Sequence, residues 1–264
     1  MNEMLATQTL GSGPTPVVLL HGFLGSGRNL YSLARKWSEL APDRTFLLMD
    51  LGGHGASPPL PPGSDLTTMA KDVIATARAQ GHQGPLELVG HSLGGRVALA
   101  GALADPASIR SITILDITPS PIPDEEWGSG PVLDRLRELP EVAPDRATFR
   151  DRLIERGLST WLADWALMNL IRTDNGYRWR IDREALAEVH ERVNRADLWP
   201  AIENGAVPVR CVRGGKSRYV PDEDARRMEA AGCKVATLED AGHYPHVDQP
   251  QKLLDLLAGD APWQ

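Results

Sequence analysis

Apolar and polar positions fall in alternating blocks along the first 118 residues. Runs at Pro16–Leu20, Thr45–Leu51, Leu86–Val89 and Ile109–Ile117 are short and dominated by valine, isoleucine and leucine, the pattern of strands buried on both faces. Between them, Asn29–Leu40 and Leu66–Ala79 space their apolar residues at helical intervals. Such alternation predicts a mostly parallel, doubly wound sheet with right-handed crossovers. It returns near the end as Val207–Val212, Glu223–Ala231, Lys234–Leu238 and Gln251–Leu257. Asp248 and Gln251 stand three apart where the last helix begins, the spacing of a capping box.

Residues 119–204 break this rhythm. They open on Pro119, Pro121 and Pro123, contain no run that reads as a strand, and carry helical spacing at Val132–Leu139, Phe149–Gly157, Thr160–Ile171 and Arg183–Val193. Five of the seven tryptophans lie here: Trp127, Trp161, Trp165, Trp179 and Trp199. The expectation is an α/β core made of residues 1–118 and 205–264, interrupted by an all-helical cap at 119–204. That cap is expected over the carboxyl edge of the sheet, where open α/β sheets bind ligands. Arg172, Arg178 and Arg180 within it read as a charged solvent face, with a grip on an anionic acyl or phosphate group as the alternative.

At 264 residues the chain can bury a large core. Its 42% hydrophobic and 24% charged content is ordinary for a globular protein, and a net charge of −7 points away from nucleic acid as a partner. The two cysteines, Cys211 and Cys233, fall in predicted strands without metal-ligand spacing and read as buried free thiols. Met1–Leu5 lacks a basic segment followed by an apolar stretch, and no run approaches the roughly 20 residues needed to span a bilayer. A cytoplasmic protein with no membrane partner is expected, with self-association into a homodimer left open.

Candidate chemistry centres on Gly90-His91-Ser92-Leu93-Gly94-Gly95, between a predicted strand and the small-residue helix Arg96–Ala102. A serine flanked by glycines where a strand turns into a helix is a nucleophile elbow. It presents Ser92 Oγ above the sheet edge and aims the Leu93 N–H at a developing oxyanion. Serine needs a base within hydrogen-bond reach. His243, in Asp240-Ala241-Gly242-His243-Tyr244-Pro245 after the last predicted strand, emerges at the same edge, with His246 as its rival. His21-Gly22-Phe23-Leu24-Gly25 follows the first strong strand and offers the Phe23 N–H as second oxyanion donor. His21 and Asp50 read as loop braces, His91 as packed, and His82 and His190 as surface residues.

These segments, with Asp50-Leu51-Gly52-Gly53-His54-Gly55 between them, resemble the α/β-hydrolase family over essentially the whole chain. The resemblance implies a Ser-acid-His triad, a helical cap and no cofactor or metal. In that family the acid usually follows the strand read here as Val207–Val212, but Ser217 occupies the expected position. Serine carries no charge to stabilise an imidazolium, so another carboxylate must serve. Asp116, in Leu115-Asp116-Ile117-Thr118-Pro119, ends the strand after the elbow helix, and Asp222 and Asp224 are the alternatives. The Asp116 segment, the Gly214-Gly215-Lys216-Ser217 loop and Tyr177-Arg178-Trp179-Arg180 resemble a subgroup of small bacterial esterases and their mitochondrial relatives. In that subgroup the earlier aspartate is the acid, which leaves Ser217 as a hydrogen-bond donor to the acid or the histidine.

The implied activity is hydrolysis of a small-molecule ester through an acyl-enzyme. A thioesterase, a carbon–carbon lyase or a cofactor-free haloperoxidase could use the same triad. A non-catalytic ligand sensor is the reading from a different class, and dehalogenases and epoxide hydrolases place aspartate where Ser92 stands.

Overall fold

The computed structural model describes residues 4–122 and 129–259; Pro123 and Trp127 lie outside them. A seven-stranded sheet runs through the molecule, formed by β1 (Thr7–Gly11), β2 (Thr15–Leu20), β3 (Arg44–Met49), β4 (Leu86–His91), β5 (Ile109–Leu115), β9 (Val209–Gly214) and β10 (Lys234–Leu238). Its order is β1-β3-β2-β4-β5-β9-β10, with β1 antiparallel to β3 and every other pairing parallel. Side chains alternate between the two faces along β2 and β3. In β2, Val17 and Leu19 enter one apolar cluster while Val18 and Leu20 enter the other.

Helices cover both faces. Trp37 and Leu33 of α1 (Tyr31–Leu40) pack with Leu253, Leu254 and Leu257 of α11 (Pro250–Ala258) on one side. On the other lie α2 (Leu66–Ala79), α3 (Leu93–Ala104) and α9 (Asp222–Ala230). The Asp65 carboxylate caps α2 by accepting from the Thr68 N–H at 2.8 Å. The predicted capping box on the last helix does not form. Pro250 occupies the first turn of α11, and Asp248 belongs to the preceding turn α10 (Pro245–Asp248), where it accepts from the Gly242 N–H at 2.8 Å.

Between β5 and β9 lie α4 (Ser129–Arg137), α5 (Arg146–Glu155), α6 (Thr160–Ala166), α7 (Arg183–Arg195) and α8 (Pro200–Glu203). This region is not all-helical. Strands β6 (Val142–Ala143), β7 (Leu170–Thr173) and β8 (Gly176–Trp179) form a small antiparallel sheet of order β6-β8-β7. The helix expected over 160–171 ends at Ala166, and its apolar tail Leu170-Ile171 pairs with β8 instead. Trp179 is buried against Phe149 at 5.0 Å between ring centres and donates Nε1–H to the Pro140 carbonyl at 3.2 Å, which gives the segment a core of its own. Among the described residues, no helix is long and apolar enough to cross a membrane.

Candidate active site

The carboxyl edge of the parallel strands gathers the candidate residues. At the elbow, the Ser92 N–H donates to Leu115 O at 3.0 Å and the Gly94 N–H to His21 O at 3.1 Å, so the turn is pinned between β2 and β5. A Cβ on Gly90 would fall 2.3 Å from the Gly94 carbonyl carbon, and one on Gly94 would fall 2.4 Å from Leu20 O. Hydrogen is the only side chain that fits either position. Ser92 itself holds φ 51° and ψ −117°. Among the described residues, three non-glycines have positive φ: Leu24 (57°), Ser92 (51°) and Asp116 (52°). Each such conformation costs on the order of 1–3 kcal/mol, and all three lie at this edge.

A cavity of about 210 Å³ opens above the elbow, lined by Ser92 and His243 and walled by Phe23, Leu24, Leu162 and Trp165. The two residues predicted to react together therefore share one chamber. Among the described residues, neither Ser92 Oγ nor His243 Nε2 has a hydrogen-bond partner. Bonds between nucleophile and base commonly tighten only when substrate is bound. The Phe23 and Leu93 N–H groups are likewise without a protein acceptor among the described residues, as donors awaiting an oxyanion would be.

Of the three candidate acids, Asp116 is the one that meets the imidazole. Its side chain is 0% exposed, and Oδ2 accepts from His243 Nδ1 at 2.8 Å. Oδ1 accepts from the Gly214 N–H at 2.8 Å, and the Ser217 hydroxyl donates to Oδ2. With Nδ1–H held by the carboxylate, the basic lone pair of His243 resides on Nε2. Tyr219 stacks on the same ring at 3.8 Å and 21°. Asp222 instead pairs with Arg213 at 2.6 Å on the surface, and Asp224 accepts from the Thr118 hydroxyl.

The remaining histidines brace the site. His21 Nε2 accepts from the Leu51 N–H at 2.9 Å, so Nδ1–H donates to Gly22 O at 2.7 Å, and burial pushes its pKa down to about 3. His91 Nε2–H donates to the His243 carbonyl at 2.7 Å, and desolvation holds its pKa well below the ordinary histidine value. His246, the rival base, is buried 4.7 Å from the His91 ring, and burial lowers its pKa to about 4. His190 is a correction: it reaches the cavity rim, where it meets Phe23 at 4.9 Å and Ser129 Oγ at 2.5 Å, because α7 turns that face inward along with Leu186 and Val193. Asp50 braces its loop as expected, accepting from the Gly27 and Ala56 N–H groups at 2.7 Å. Cys211 and Cys233 are free and buried. Among the described residues, no group of three or more potential ligands could hold a metal ion.

Sequence reasoning passed over two residues. Arg96, one helical turn beyond Ser92, is 1% exposed, and its guanidinium donates to the carbonyls of Thr118, Ser120, Val193 and Ala196. It thereby ties both chain crossings into the 119–204 region to the elbow helix. Burial lowers its pKa to about 10. A lone cation opening an otherwise small and apolar helix was the available signal. Asn169, buried, donates Nδ2–H to Leu24 O at 2.8 Å and so secures the positive-φ residue beside Phe23. Nothing in its sequence neighbourhood marks it.

Comparison with known proteins bears on the fold and the class of enzyme. Residues 15–250 match the α/β hydrolase fold family. The sn-1-specific diacylglycerol lipase ABHD11 of Mus musculus is 29% identical over 250 residues, covering 91% of this chain and 79% of that protein. Esterase YbfF of Escherichia coli strain K12 is 25% identical over 251 residues, covering 92% of this chain and 91% of its own. Among solved structures, a marine microorganism esterase superposes with a TM-score of 0.85 at 25% identity, covering 97% of this chain and 98% of its own. The chain belongs to the α/β-hydrolase fold family, and it is an enzyme of the esterase type within it.

Proposed function

We propose that the protein hydrolyses esters of small acyl groups through a covalent acyl-enzyme, with Ser92 as nucleophile, His243 as general base and acid, and Asp116 as the triad carboxylate. His243 Nε2 takes the Ser92 proton as Oγ bonds to the substrate carbonyl carbon. The oxyanion is held by the Phe23 and Leu93 N–H groups. Collapse of the tetrahedral intermediate breaks the bond to the alcohol, which leaves with the proton from His243. Water then repeats the sequence on the acyl-enzyme, releasing a carboxylic acid and restoring Ser92. Asp116 keeps the imidazole in the Nδ1–H tautomer and offsets its charge when protonated.

The observation that carries this reading is the 2.8 Å bond from His243 Nδ1 to a fully buried Asp116, with Ser92 and His243 lining one cavity. At about 210 Å³ that cavity lies below the roughly 300 Å³ at which drug-sized ligands are enclosed. Its apolar walls suit an acyl chain, and its size favours a short one over a long one. The test pairs a p-nitrophenyl ester series from acetate to palmitate with fluorophosphonate labelling. Ser92→Ala should lose the label and lower turnover by about 10⁶-fold. Substantial activity in purified Ser92→Ala, or no labelling of the wild type, would reject the assignment.

A further inference from the structure

We propose that a second cavity, beside the acyl chamber, is a binding site for a phosphorylated group of nucleotide or glycerol size. The identification of that group as the leaving side of the substrate rests on the triad reading above. This cavity has a volume of about 600 Å³, within the range that encloses a whole small molecule. It meets the acyl chamber at Leu24, which lines both. The chain from Phe23 onward passes from one cavity to the other: Phe23 faces the acyl chamber, while Gly25 to Asn29 line the second space. Leu24, the residue after the proposed oxyanion donor Phe23, thus borders both spaces, which puts the cleft next to the reacting centre.

Charge decides what the cleft takes. Arg28, Arg146 and Arg180 line it, from the single-turn helix Gly27–Leu30, the first residue of α5 and the position after β8. All three are exposed. Among the described residues, none of their guanidiniums enters a hydrogen bond or a close ion pair. Asp164 feels Arg146 but is bonded to Arg150 at 2.7 Å. The one carboxylate in the lining, Asp50, already accepts the Gly27 and Ala56 N–H groups at 2.7 Å. On a chain of net charge −7, three unpaired arginines around one cavity reverse the local field. A planar guanidinium matches phosphate oxygens with paired N–H donors. The position of Arg180 is fixed by its own N–H, which donates to Asn169 O at 2.8 Å, while the Asn169 side chain holds Leu24. Arg180 is exposed, as a charged solvent face would be, and its backbone is held to the residue that secures Leu24, so its side chain starts from a fixed point on the cleft wall.

The full chain is titrated calorimetrically, at low salt, with adenosine 3′,5′-bisphosphate against adenosine and with glycerol 3-phosphate against glycerol. At least one phosphorylated compound should bind about 10-fold or more tightly than its parent, the combined effect of three exposed charge pairs. Which arm shows the preference tells a nucleotide-borne phosphate from a glycerol-borne one. The preference should weaken with salt and vanish in Arg28→Gln/Arg146→Gln/Arg180→Gln, with Arg180→Gln alone showing part of the loss. Equal affinity for every phosphorylated compound and its parent, or a preference that survives the triple substitution in a folded protein, overturns the proposal. Fluorophosphonate labelling is scored on the same preparation. Labelling without phosphate preference sinks this inference alone, whereas preference without labelling leaves the site standing and sinks the triad.

Discussion

Replacing Asp116 with asparagine isolates the carboxylate from everything else at the site. The side chain keeps its shape, and the amide oxygen can still accept from the Gly214 N–H at 2.8 Å. The other end changes character. Where Oδ2 accepts from His243 Nδ1 at 2.8 Å and from the Ser217 hydroxyl, an NH₂ group can only donate. Ser217 can rotate to accept that donor. His243 must give up its Nδ1 proton, which moves the proton to Nε2 and removes the lone pair that would take the Ser92 proton. A base trapped in the wrong tautomer costs about 10⁴ in kcat, close to 5 kcal/mol of transition-state stabilisation. Hydrogen-bond loss on the stability side is on the order of 1 kcal/mol, since the Gly214 bond is kept and the two bonds at the other end can reverse rather than vanish. The assay is steady-state hydrolysis of p-nitrophenyl acetate with thermal unfolding of the same samples. Asp222→Asn is the control: that carboxylate is 73% exposed and paired with Arg213, and its loss should leave the rate within about twofold of wild type. If Asp222→Asn or Asp224→Asn were as damaging as Asp116→Asn, or if Asp116→Asn stayed within about 10-fold of wild type, the tautomer argument would fail.

Arg96→Met should destabilise the protein by on the order of 4 kcal/mol, because four carbonyls, those of Thr118, Ser120, Val193 and Ala196, lose their donor. A fall in Tm of about 10 °C checks this, and a change under about 2 °C would contradict it. Acid sensitivity follows from the buried histidines. Desolvation lowers His21 to about 3 and His54 and His246 to about 4, from an ordinary 6.5, and holds His91 well below that value. Between about pH 4 and 6.5 the unfolded chain binds more protons than the folded one, so stability rises with pH there, by about 1.4 kcal/mol per unit for each such group. Urea unfolding at pH 7, 6 and 5 should show the decline on acidification, and His246→Phe should make it shallower. Equal stability at pH 7 and pH 5 would contradict the burial account.

What could be read in advance was whatever physics writes locally. The inner strands β2, β3, β4 and β5 are apolar on both faces and announce themselves as continuous runs, while β9 and the edge strand β10 show shorter ones. The elbow is legible because its steric demand falls on Gly90 and Gly94, within two residues of the serine. Asp116 is legible as the candidate acid only through the family resemblance, which expects a carboxylate where Ser217 stands and leaves Asp222 and Asp224 as rivals. The missed elements lack such local signals. Strand β1, Thr7–Gly11, is a mostly exposed edge with no apolar alternation, and only its pairing with β3 makes it a strand. The small sheet is built from segments of two and four residues, too short for a period to register, and its pairing joins Val142 to Arg178 across distant sequence. In Leu167–Ile171 an apolar run suits helix or strand equally, and contact with Gly176–Trp179 decides for strand in its second half.

Two side chains that no motif announced explain why the pieces hold together as one site. Arg96 follows Ser92 by four residues on α3, one helical turn, so the helix that begins at the proposed nucleophile also grips the chain where it leaves β5 and where it comes back from α7. A shift of either crossing would pull on the helix whose first N–H, that of Leu93, is a proposed oxyanion donor. Asn169 acts from the other side, bonding Leu24 and thereby the loop that presents Phe23. Both proposed oxyanion donors are thus tied to the inserted region, one through a buried cation and one through a buried amide. Buried, fully partnered polar groups of this kind have few alternative arrangements of comparable energy. The acyl chamber, the arginine-lined cleft and the elbow should therefore move as a unit or hardly at all, which is the rigidity that an oxyanion site needs to favour the transition state over the bound ester.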